Sequence, residues 1–140
     1  MREILFKAKS IQTGEWIEGI PIKTHLGLFI SFEENPHYCS QYGYMEIDDI
    51  LMVDEKTLCQ FTGLCDKNGN KIWENDILMA HLDEYYPEDV TYKTVEWGVA
   101  GWVGHETGST DREYLDEFDT EHFEVVGNIL DNKELLQDES

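Results

Sequence analysis

The strongest constraint in this chain is the period of its apolar residues, which is two along most of its length and 3.6 over no long stretch. In Ile4–Lys9, Ile4, Phe6 and Ala8 fall on one side while Lys7 and Lys9 fall on the other. Such alternation describes a half-buried strand, because successive side chains of an extended backbone point to opposite faces. After the turn signal Gln12-Thr13-Gly14, Trp16–Lys23 sets Trp16, Ile20 and Ile22 on a common face. Pro21 lacks the N–H that a ladder needs, so an edge or a bulge is expected there. Gly27–Phe32 reads as a third strand, and Glu33–Gln41, with its Asn35-Pro36 step, as a loop. Tyr42–Val53 is apolar again, with Asp48-Asp49 marking a bulge or break. Asp54 is placed to cap a helical turn at Glu55–Thr57.

The second half continues in the same manner. In GLCDKNGNKIWENDIL, residues Gly63 to Leu78, the Asn68-Gly69 step predicts a hairpin, since both residues tolerate the positive φ of a type I′ turn. The same run places Asp66, Asn68 and Asn70 at calcium-loop spacing. Lys71 stands where such a loop needs glycine, and Ile77 where it needs a bidentate glutamate, so a calcium site is rejected. Ile77–His81 and Val90–Trp97 read as strands joined by an acidic loop, and Gly98, Gly101 and Gly104 punctuate a tight return around Trp102. Glu106–Glu121 shows no period and is expected to be a long loop. Phe123–Ile129 is the last strand, before a short C-terminal helix capped by Asp131 or Asn132 in which Leu135 and Leu136 dock.

Short strands with glycine-rich turns and no long amphipathic helix predict a mainly β, barrel-like protein. A chain of 140 residues is one ordinary domain, or two very small lobes sharing a core. Within 1–140, a soft boundary near Val53–Thr57 suggests a β-meander at 1–53, a small barrel at 58–130 and a helix or tail at 131–140. No apolar run approaches the roughly 18 residues of a membrane helix, and the N-terminus lacks a signal core. Cys39, Cys59 and Cys65 follow no close-spaced pattern and read as free thiols of a reducing cytoplasm.

Charge limits the partners. Thirty acids against ten bases give a net charge of −20. That argues against direct binding of nucleic acid or of an anionic membrane, both of which need a cationic footprint. From His105 to Ser140 twelve acids face only Arg112 and Lys133. A basic host or phage protein is the partner this field would attract, and imitation of DNA is one way to use it.

Catalytic chemistry finds little support. There is no G-x-S-x-G elbow, no phosphate-binding glycine loop and no close-spaced zinc pattern. His81, Asp83, Glu84, Glu88 and Asp89 are dense enough to compare with a magnesium site, and a metal-dependent hydrolase is the enzymatic alternative. A nuclease must also hold a polyanion, and this half offers little beyond Lys93 and Arg112. The segment therefore reads as a solvated acidic loop, with no cofactor, metal or catalytic residue expected. Trp16, Trp73, Trp97 and Trp102 read as core or hairpin-pairing residues. The interaction candidates are Tyr85 and Tyr86, since tyrosine is enriched in binding hot spots, and the acids Asp116, Glu117, Asp119 and Glu121.

Three blocks, REILFKAKSIQTGEWIEG, CQFTGLCDKNGNKIWENDIL and FEVVGNILDNKELL, resemble the YopX family of phage and prophage proteins of bacteria. They stand in the family's order and span almost the whole chain. Two departures are Glu74-Asn75-Asp76-Ile77, where relatives often have a glycine at the second position, and Cys59, where glycine would be unsurprising. The resemblance implies a mainly β protein whose barrel portion is SH3-like, self-associating, in the bacterial cytoplasm. It carries over no established activity and no catalytic residues. The expectation is a non-enzymatic accessory protein that acts through protein–protein contacts and forms homo-oligomers, with a DNA mimic directed at a host defence or nucleic-acid-binding protein as the alternative.

Overall fold

The computed structural model describes residues 5–31, 37–39, 44–46, 50–86 and 88–136, the strands at 37–39 and 44–46 by their backbone alone. The alternating runs become strands. β1 (Phe6–Lys9), β2 (Trp16–Thr24) and β3 (Gly27–Ser31) form an antiparallel meander. β4 (His37–Cys39) and β5 (Tyr44–Glu46) pair with each other. β6 (Ile50–Val53), a 3₁₀ turn at Glu55–Thr57 and β7 (Cys59–Cys65) follow. The chain divides into two compact units, Met1–Gln60 and Phe61–Ser140, and the division falls within the residues of β7. Of the expected Glu33–Gln41 loop, His37–Cys39 is strand and the remainder lies outside the described residues. The break expected at Asp48-Asp49 also lies outside them.

In the first unit the strand order is β6-β3-β2-β1, with the start of β7 beside β1. The described ladder between β1 and β2 ends at Gly19, and Pro21 pairs with Ile30 of β3. Gly19 is required by close approach: a Cβ there would lie 2.8 Å from Ile30 Cγ2 and nearer still to the Ser31 carbonyl. The meander curls until Ser10 bridges Val53, with Asp54 N–H donating to the Lys9 carbonyl at 2.8 Å. Ala8, Leu28, Ile30 and Val53 fill the interior. Asp54 caps its turn as expected, its carboxylate accepting from Lys56 N–H at 3.0 Å.

The second unit holds β8 (Lys71–Trp73), β9 (Asp76–Ala80), β10 (Thr91–Trp97), β11 (Trp102–Glu106), β12 (Arg112–Tyr114), the helix α1 (Glu117–His122) and β13 (Glu124–Asn128). Five of these strands form one antiparallel sheet, β12-β11-β10-β9-β13. The SH3-like barrel expected over 58–130 is not seen as a closed sheet: among the described residues β12 and β13 remain opposite edges. The reason lies at β13, whose free side is occupied by the β7–β8 turn instead of by β12. The sheet packs on Ile72, Leu78, Ala80, Val95, Trp102 and Phe123, each adding about 1.5–3 kcal/mol of burial for the larger side chains. Two corrections concern local structure. The expected Glu106–Glu121 loop contains β12 and α1, and the described part of the expected C-terminal helix is a 3₁₀ turn at Lys133–Leu136.

The turn from β8 to β9 explains the Glu74-Asn75 departure. Asn75 has φ +71°, its N–H donates to the Val95 carbonyl at 2.8 Å, and its own carbonyl accepts from Ile129 N–H at 2.9 Å. Asparagine visits this left-handed region more readily than other non-glycine residues. Asn75→Val is therefore expected to be less stable than Asn75→Gly by about 1–2 kcal/mol in urea denaturation. Equal stabilities would show that the backbone, and not the residue, sets that turn.

Candidate interaction surface

The sequence candidates fall into two groups. His81, Asp83, Glu84, Tyr85, Tyr86, Glu88 and Asp89 are all exposed on the segment between β9 and β10. Asp83 accepts from Tyr85 N–H at 2.8 Å and Asp89 N–H donates to the Tyr86 carbonyl at 2.9 Å, which folds the segment on itself. A wide, shallow cavity of about 580 Å³ is lined by Leu82, Asp83, Glu84, Tyr85, Asp89 and Thr91. Among the described residues no three His, Cys, Asp or Glu side chains are grouped so as to hold a metal ion. Cys59 is buried, its Sγ donating to the Thr57 carbonyl at 3.3 Å, and Cys65 is exposed.

Asp116, Glu117 and Glu121 are exposed on and before α1. Asp119 is not, and its place among interaction residues is corrected: it is buried, with its Oδ1 2.8 Å from Lys93 Nζ. Asp119 and Asp116 form a reciprocal cap. Asp116 accepts from Asp119 N–H at 3.2 Å, and Asp119 Oδ2 accepts from Asp116 N–H at 3.0 Å. The bond from Asp119 N–H is the main cause that holds the Asp116 carboxyl below its usual range.

A surface that sequence reasoning did not single out lies at one end of the second sheet. Trp97 pairs across the β10–β11 hairpin with Trp102, their rings T-shaped at 4.8 Å. Trp102 is buried in the core, whereas Trp97 is 59% exposed. The hairpin tip carries Val99, fully exposed, and at the same end β12 sets Tyr114, 55% exposed, opposite Val103 and so on the other face of the sheet from Trp97. Edge-to-face packing against a buried partner fixes Trp97 in place while leaving most of its surface in water. The signal was present as a Trp–Val–Trp cluster at a glycine turn, but nothing local distinguishes an inward from an outward tryptophan.

Charge surrounds these apolar groups. Arg112 Nε bonds Glu96 Oε2 at 2.8 Å, and the other oxygen of Glu96 lies 3.5 Å from His105 Nδ1. With Arg112 so engaged, the flanking Asp111, Glu113, Asp116 and Glu117 leave this end acidic. Residues 61–140 hold twenty acids and five bases, a net −15, against ten and five, a net −5, in residues 1–60.

The family model described as YopX protein matches residues 6–137. A crystal structure of protein EF1440 from Enterococcus faecalis superposes with a TM-score of 0.64 at 24% identity, covering 98% of this chain and 100% of that one. That likeness establishes a shared fold. A comparison with curated proteins gives no match.

Proposed function

We propose that this chain, which belongs to the YopX family, is a non-enzymatic phage or prophage accessory protein acting through protein–protein contacts in the bacterial cytoplasm. The observation that carries the reading is Trp97, 59% exposed while packed edge-on against the buried Trp102, beside the exposed Val99 of the hairpin tip. Tryptophan and tyrosine are enriched among the residues that dominate protein–protein contacts. Self-association belongs to the first unit in this reading. That unit exposes Ile11, Ile20 and Leu26 and carries the smaller net charge, so copies meeting there repel one another less.

A second reading, an acidic imitation of DNA aimed at a basic host protein, is favoured by the net −15 of residues 61–140. One set of experiments separates the two. Light scattering of the purified protein is expected to give a mass above the monomer. Capture from host lysate is expected to yield a specific protein that Trp97→Ser with Val99→Ser releases. A partner displaced by duplex DNA and lost steeply with salt supports the second reading. A strict monomer that captures nothing would sink both.

A further inference from the structure

The two edges of the second unit's sheet are finished differently. At β13, Val125 N–H donates to Asp66 Oδ2 at 2.8 Å, the neighbouring Phe123 carbonyl accepts from Lys67 N–H at 3.1 Å, and the Asn132 side chain fills the space beside Gly127. A bulge between Val125 and Gly127 further spoils that edge as a template. At β12 all three residues are exposed, and among the described residues no strand pairs with the outer side. Leu115 N–H donates to the Trp102 carbonyl, and antiparallel alternation then turns the backbone of Glu113 toward β11 and that of Arg112 and Tyr114 outward. An edge with outward amides and carbonyls is a ready template for another strand.

We propose that β12 is a strand-addition site for an extended, cationic segment of another protein. The inference rests on the binding reading above and gives it a location and a partner chemistry. Main-chain bonds to Arg112 and Tyr114 would supply register, as in other sheet-edge recognition. Apolar side chains of the segment would cover Tyr114, and its lysines or arginines would face Asp111, Glu113, Asp116 and Glu117. Charge complementarity selects the occupant. Two copies of β12 meeting edge to edge would set Asp111 and Glu113 of each against those of the other, on units of net −15 apiece.

The test titrates the full-length protein with a short synthetic peptide of alternating lysine and valine, followed by backbone amide resonances. The expected result is that the amides of Arg112 and Tyr114 shift and become protected from exchange. N-methylation of alternate peptide amides should weaken binding about tenfold or more, since it removes main-chain bonds while keeping the charge. Glu113→Lys, at an exposed position, should weaken binding while the melting temperature holds. Equal binding of the methylated peptide, shifts confined to Leu82–Asp89, no binding at millimolar peptide, or protection of β12 that rises with protein concentration alone would each overturn the proposal. If the peptide fails while capture from lysate still depends on Trp97 and Val99, strand addition falls and the broader reading stands. If both fail, both fall.

Discussion

Lys93→Met is expected to lower the unfolding free energy by about 3–5 kcal/mol, the largest effect of any single exchange argued for this protein. Lys93 Nζ lies 2.8 Å from Asp119 Oδ1, with side chains only 14% and 5% exposed, and 4.8 Å from the centre of the fully buried Phe123 ring. Removing the cation leaves the Asp119 carboxylate uncompensated where water cannot replace its partner. By contrast, Lys23–Glu55 is 2.7 Å long but 60% and 61% exposed, and losing it should cost about 0–1 kcal/mol. Distance alone does not separate the two pairs; solvation does. The pair of exchanges Lys93→Met and Asp119→Asn should recover much of the single-variant loss, because the amide still accepts from Asp116 N–H and no charge remains buried. Urea denaturation of the three variants checks this. A single variant as stable as the parent would mean that water reaches the carboxylate after all.

The same pair shows where sequence reasoning ends. Asp119 was grouped with Asp116, Glu117 and Glu121 because all four sit in one acid-rich run. Its partner is 26 residues away on β10, and no local pattern announces that distance. The Asp116–Asp119 cap does carry a local signal, but α1 spans six residues and buries one, too few to show a period. The alternating strands were legible because burial on one face of a sheet is written into every second residue. Which strands become edges was not, since pairing β13 with β9 depends on contacts between distant residues. At the β7–β8 turn the hairpin was legible and the turn type was not. Only Gly69 has positive φ, while Asn68 does not. Gly69 N–H bonds the Asp66 carbonyl at 3.0 Å and Asp66 N–H the Asn70 carbonyl at 2.8 Å, a three-residue loop with glycine at its left-handed position. The Asp66 side chain selects that form by accepting from the N–H groups of Asn68 and Asn70, both at 2.9 Å.

Asp66 is therefore the residue on which the second large prediction rests. It is 5% exposed, and besides those two bonds its Oδ2 accepts from Val125 N–H at 2.8 Å and from Asn70 Nδ2 at 3.5 Å. Asp66→Ala strands three backbone donors and is expected to cost about 3 kcal/mol. Asp66→Asn should cost less but not nothing, because an amide offers one oxygen to donors that now approach both. Burial acts to raise the carboxyl's pKa, yet the bonds from Val125, Asn70 and Asn68 outweigh it and hold the value below the ordinary range. A carboxyl depressed in the folded state stabilises fully above its unfolded value, about 3.9, and loses that contribution as pH falls through the lower folded value. The stability gap between the parent and Asp66→Asn should thus be widest near neutrality and narrow below about pH 4. A gap that stays constant with pH would show that the site is held by shape and not by charge. Since the same carboxylate occupies Val125 N–H at the β13 edge, its loss should also open that edge. Asp66→Ala is accordingly expected to aggregate more readily than Lys93→Met, despite being the less destabilised of the two.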